Sequence, residues 1–120
     1  MEALEKLTLA AKALNDKKAI ELGAVKVTDL TVIADYFLFA TATSSTHVRA
    51  LADAAEEALS KVGMEPHHIE GRATGWILLD YSDLIVHVFS KQAREFYSLD
   101  KTWSDGQQVD LSDILGAEDK

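Results

Sequence analysis

Asp80 and Asp83 stand three positions apart around a short turn, and with Asp35 they form the carboxylate set that a magnesium ion would need for phosphoryl or nucleotidyl transfer. The spacing argues against that use. Two-metal sites draw carboxylates from adjacent positions on one strand face, no Asp-x-Asp or Glu-x-Asp pair falls on a predicted strand, and turn aspartates ordinarily bond their own backbone. Ser44, Ser45 and Thr46 open a predicted helix, where free N–H groups and the helix dipole can hold a phosphate, but the same hydroxyls also serve as a helix cap. Of the four histidines, His47 is helical and His87 lies within a strand, while His67 and His68 are adjacent and face opposite sides of an extended chain, so they do not ligate one ion together. There is no GxSxG elbow, Walker-type loop, HExxH pair or dinucleotide fingerprint. Cysteine is absent, which excludes thiolate zinc, disulfides and a cysteine nucleophile and suits a reducing cytoplasm. The expectation is a protein without catalytic residues, metal or cofactor.

The elements that position these residues follow from periodicity. Leu4, Leu7, Ala11 and Leu14 recur at helical spacing between Glu2 and Asn15 and predict an amphipathic first helix. Ala19 to Val27 and Tyr36 to Ala42 read as strands, the second (YFLFATA) apolar enough to lie inside a sheet covered on both faces. From Ser44 a second helix runs to about Val62 with an apolar stripe of Val48, Leu51, Ala52, Ala55, Leu59 and Val62, and Gly63 ends it. A short segment at His67 to Glu70 and a glycine-bounded turn (Gly71 to Gly75) lead to two strands, Trp76 to Tyr81 and Leu84 to Phe89, close enough for an antiparallel hairpin. Lys91 to Leu99 reads as a last helix with Ala93, Phe96 and Tyr97 inward and Trp103 as a docking anchor. The order α-β-β-α-β-β-β-α predicts one α/β domain over residues 1–105, a mixed sheet flanked by helices, followed by an acidic, flexible tail over 106–120.

One domain of 120 residues buries a core without staples. No run approaches the roughly 18 apolar residues of a membrane helix, and the glutamate-containing start is too short in apolar character for a signal peptide, so no membrane role is expected. Twelve basic against twenty acidic residues give a net charge of -8, which repels nucleic-acid phosphates and favours basic proteins as partners, although it also serves simple solubility. Trp76, Tyr81, Phe96, Tyr97 and Trp103 crowd the last third of the chain. Trp76 and Tyr81, five apart, face opposite sides of a regular strand unless a bulge re-aims one, and an exposed ring there is a typical binding anchor.

The run GWILLDYSDLIVHVFSKQAREFYSLDKTW, Gly75 to Trp103, resembles the signature of the ribosomal silencing factor family, also called Iojap-related. Asp29-Leu30-Thr31, Ala34 to Phe37, Ala40 to Val48 and Glu70-Gly71 extend the resemblance over about residues 3 to 105. It implies a nucleotidyltransferase-like fold that has lost transferase chemistry, often as a homodimer. It also implies binding to ribosomal protein fourteen of the large subunit at the intersubunit face, with limited contact to ribosomal RNA, so that the small subunit cannot join and translation is repressed when nutrients are short. Ala42-Thr43 in the strand-to-helix turn and Ser82 in the hairpin replace glycines common in the family. The partner-binding residues expected on this basis are Trp76, Leu78 and Tyr81 as apolar anchors, with Asp80 and Asp83 complementing basic partner side chains. A small metal-dependent nucleotidyl or phosphoryl transferase, or a large-subunit assembly factor, stand as the alternatives.

Overall fold

A computed structural model describes residues 2–28, 34–71, 75–97, 106–109 and 111. The elements run α1 (Ala3–Asp16), β1 (Ile20–Lys26), β2 (Tyr36–Ala42), α2 (Ser45–Ser60), β3 (His68–Glu70), β4 (Trp76–Asp80), β5 (Leu84–Ser90), α3 (Lys91–Tyr97) and β6 (Gln107–Val109). The sheet order is β3-β4-β5-β2-β1-β6, in which β2 and β5 are parallel and every other pair antiparallel. The α/β class, the mixed sheet and the antiparallel pairing of β4 with β5 are as the sequence predicts.

The YFLFATA run sits at the centre beside β5 because it is apolar at nearly every position, and from Phe37 to Ala42 all six residues are buried, Thr41 included. Its alternation splits the core in two. Leu38, Ala40 and Ala42 join Val86 and Val88 of β5 and Ile77 and Leu79 of β4 on the face that α1 and α2 cover. Phe37 and Phe39 join Val25, Ile85 and Phe89 on the other face, with Trp76, Leu78 and Ala93 packed against them. α1 places Leu7, Ala10, Ala11 and Leu14 inward but leaves Leu4, the first residue of the predicted stripe, 47% exposed at the helix start, and α2 places Val48, Leu51, Ala52, Ala55 and Leu59 inward as period 3.6 predicts. Val62 belongs to the predicted stripe but stays 42% exposed, because α2 ends at Ser60. The chain turns there through Gly63 at φ 82°, with the Met64 N–H donating to Leu59 O at 2.9 Å.

The segment beginning at residue 106 departs from the flexible tail expected. Gln107–Val109 pairs antiparallel with Ala24–Lys26 of β1, and Leu111 enters the helix-side core. Pairing of this kind is made by backbone groups and leaves little pattern in the side chains, so a Gln-Gln-Val segment gives no apolar alternation to read. The expectations for the rings of Phe96 and Tyr97, for Leu99, for Trp103 and for residues 112–120 lie outside the described residues.

Candidate protein-binding face

β4 alternates strictly. Trp76, Leu78 and Asp80 are half-buried on one face, and Ile77 and Leu79 are buried on the other. Trp76 stacks on Phe89, its cross-strand partner, with ring centroids 5.4 Å apart. Its indole Nε1–H donates to His87 Nδ1 at 3.2 Å, which fixes the ring's orientation. Because an indole only donates, Nδ1 of His87 is the unprotonated nitrogen and the proton sits on Nε2, which is buried without a hydrogen-bond partner among the described residues. His87 is enclosed by Phe37, Phe39, Phe89 and Trp76, at centroid distances of 5.1 to 5.9 Å. Burial pushes its pKa down to about 3, so the imidazole is neutral at physiological pH. α3 packs at one end of this face. Its Arg94 donates to Thr41 Oγ1 at 2.8 Å and lies 5.8 Å from the Phe39 ring centroid.

Of the five expected partner-binding residues, the structure brings Trp76, Leu78 and Asp80 together and separates Tyr81 from them. Tyr81 is 2% exposed and sits in the helix-side core with Ile77 and Leu79, which removes it as a surface anchor. The separation of five residues from Trp76 does put the two rings on opposite sides of the sheet. The turn after it explains the outcome: the Asp83 N–H donates to Tyr81 O at 2.9 Å around Ser82 at φ 72°, a γ-turn that does not re-aim the ring. Asp80 Oδ1 accepts the Ser82 N–H at 2.8 Å and so braces that turn. Asp83 Oδ1 accepts from Lys6 Nζ at 2.9 Å, a part-buried ion pair tying the hairpin to α1.

The other candidate chemistries resolve into local structure. Asp35 meets Asp83 only through backbone, its N–H donating to Asp83 O at 2.9 Å, and among the described residues no three His, Cys, Asp or Glu side chains cluster as a metal would require. Ser44 Oγ accepts the His47 N–H at 3.0 Å, which is N-capping of α2. His47 is itself a clamp: its Nδ1 accepts the Thr43 N–H at 3.0 Å, and its Nε2 donates to the Lys17 carbonyl at 2.8 Å, joining the start of α2 to the end of α1. His68 lies 2.8 Å from Glu70 on the exposed strand β3. Two supporting residues escape sequence reasoning. Lys6 is 77 positions from Asp83 and carries no local signal of the pairing. His87 falls in an apolar run that marks it as core, but nothing in the run says which indole it orients.

Comparison with known proteins identifies the relatives of this chain. The family model described as "Ribosomal silencing factor during starvation" matches residues 1–120. A protein of Halalkalibacterium halodurans named ribosomal silencing factor RsfS is 35% identical over 116 residues, 96% of this chain and 99% of that one. Its namesake in Bacillus subtilis is 35% identical over 106 residues, 88% of this chain and 90% of its own. A crystal structure of a Chromobacterium violaceum protein superposes with a TM-score of 0.84 at 31% identity, covering 92% of both chains.

Proposed function

This chain belongs to the ribosomal silencing factor family, and from that premise we propose that it silences by obstruction, docking on the large ribosomal subunit so that the small subunit cannot join. The partner we assign is ribosomal protein fourteen, a basic protein at the intersubunit face, and the contact is the outer face of β4. The observation that carries this reading is the pairing of Trp76 and Leu78. Both are half-exposed large apolar side chains on a face whose other described aromatic rings are buried, and the Trp76 ring is held by stacking on Phe89 and by the His87 hydrogen bond. A ring already fixed in place loses little entropy on binding, which is what a hot-spot anchor needs.

Charge fits the same partner. With a net charge of -8 the chain is drawn to a basic protein patch and repelled by ribosomal RNA, and Asp80 stands on the same face as the two apolar anchors. Obstruction requires no catalysis, and Asp80 and Asp83, the carboxylates a transferase would use, are engaged by the Ser82 N–H and by Lys6. The site of action on this reading is the cytoplasm, where subunits meet; among the described residues no helix is long and apolar enough to cross a membrane.

The test is sedimentation of purified subunits with the wild-type chain and with Trp76→Ala and Leu78→Ala. Truncating Trp76 is expected to cost roughly 2 kcal/mol, about thirty-fold in affinity for the large subunit, and to restore joined ribosomes. Folded Trp76→Ala protein that binds large subunits as tightly as wild type refutes the interface. Joined ribosomes forming at full yield under saturating wild-type protein refute obstruction itself.

A further inference from the structure

Arg94 ties α3 to groups that lie far from it in the chain. Its Nη1 donates to Thr41 Oγ1 at 2.8 Å and to the Glu21 carbonyl, 53 and 73 positions away, and its guanidinium carbon stands 5.8 Å from the Phe39 centroid. Thr41 is fully buried, so loss of this donor would strand its hydroxyl. Glu21 offers its carbonyl from an uncommon backbone, at φ 48°. It lies in a bulge between Ile20, opposite Thr41, and Gly23, opposite Phe39, where β1 carries two residues to one of β2. Such a conformation costs free energy and persists only where the surroundings impose it.

The Trp76 anchor stands at the other end of the same row. Register lines up Trp76, Phe89 and Thr41 across β4, β5 and β2 on the outer face. α3 follows β5 directly, and its start is seated on Gly75: the Ser90 N–H donates to Gly75 O at 2.6 Å, Ser90 Oγ accepts the Ala93 N–H at 3.1 Å, and a Cβ added at Gly75 would lie 3.6 Å from Ala93 Cβ. Trp76, next in the chain, packs with Ala93 against one apolar cluster. A helix of seven residues is too short to be stable by itself, so its place is set by what anchors it. We infer, on the reading that the Trp76 face is the contact surface, that Arg94 is a positioning residue for docking: it pins α3 from the β1–β2 side of the face and so fixes the wall beside which a partner group meets the Trp76 ring. Arg94 acts through α3 and needs no contact with the partner. Lysine is a poor substitute, because an ammonium is a strongly hydrated point charge, whereas the planar, weakly hydrated guanidinium suits a part-buried place beside a ring.

Charge and position predict opposite signs here. The proposed partner is basic, so removing a cation from a chain of net charge -8 tightens docking if charge alone matters, whereas loss of the pin weakens it. Arg94→Met and Arg94→Lys are compared with wild type in binding to purified large subunits. In the free, isotopically labelled chain, amide exchange at Ala93 and the Trp76 indole N–H resonance are followed, the latter identified by its loss in Trp76→Phe. Arg94→Met is expected to bind about fivefold more weakly, with faster exchange at Ala93 and a displaced indole resonance, and Arg94→Lys to change in the same direction. Ser44→Ala, which removes a cap on the opposite side of the sheet, is expected to bind as wild type does. Equal or tighter binding by Arg94→Met, wild-type affinity in Arg94→Lys, or an equal loss in Ser44→Ala would each overturn the assignment. Failure of the Trp76 face and failure of the pin are separable: the first shows as wild-type affinity in Trp76→Ala, the second as wild-type Ala93 exchange and indole resonance in Arg94→Met.

Discussion

His87 makes the stability of this protein sensitive to mild acid. In the unfolded chain its imidazole titrates near the ordinary value of 6.5, whereas burial holds it at about 3 in the folded state. Between those values the unfolded chain binds a proton that the folded chain refuses. Stability from this residue is therefore complete above about pH 6.5 and falls as the pH falls, and it is exhausted near pH 3. Integrated over the full window this amounts to about 5 kcal/mol, of which about 2 kcal/mol is lost between about pH 7 and about pH 5. The magnitude is large because burial among the rings of Phe37, Phe39 and Phe89 strips the imidazolium of water; protonation also removes the acceptor that holds the Trp76 indole. His87→Phe keeps an aromatic ring in the stack and removes the titration. Urea unfolding of both proteins at the two pH values isolates the effect, since the other titrating groups are common to both. The variant is expected to gain about 2 kcal/mol relative to wild type on acidification. A relative change under about 0.5 kcal/mol would mean that water reaches Nε2 or that the stack opens to accept the charge, and burial would then not govern the titration.

Ser82 sits at φ 72°, where a Cβ is strained, and Ser82→Gly is expected to raise stability by about 0.5–1 kcal/mol in thermal unfolding. Gly75 has no room for a side chain, since an added Cβ would lie 2.7 Å from Ser90 Oγ, the same oxygen that accepts the Ala93 N–H at the start of α3. Gly75→Ala is expected to cost about 1–3 kcal/mol and to loosen α3, read as faster amide exchange at Ala93. Ser44→Ala removes the N-cap of α2 and is expected to lower stability by about 1 kcal/mol in urea unfolding, without changing the binding of large subunits.

What the sequence displays is what periodicity and punctuation encode. The apolar stripe of α2 ending near Gly63 and the two-sided burial of β2 follow from side-chain spacing alone. The same rule sends Trp76 and Tyr81 to opposite faces of β4. It does not say which face helices will cover, and the choice of Tyr81 as a surface anchor fails at that point. β6 is hidden for a different reason: it is added by main-chain pairing to β1, and Gln107 and Gln108 look the same in a strand as in a loose tail. Contacts between distant residues, such as Lys6 with Asp83 or His47 with the Lys17 carbonyl, depend on how α1 lies across the sheet, which no local pattern records.

The last of the six strands has a bearing on the fate of a shortened chain. By bonding to Ala24, Val25 and Lys26 it fills the outer flank of β1, a stretch otherwise left with a row of idle main-chain donors and acceptors beside two buried apolar side chains. Proteolytic clipping ahead of Gln107 would strip that cover and take Leu111 with it. Two clipped molecules would then satisfy each other's vacant ladder, and the product of a single cut would be a sticky, self-templating fragment in place of a smaller regulator.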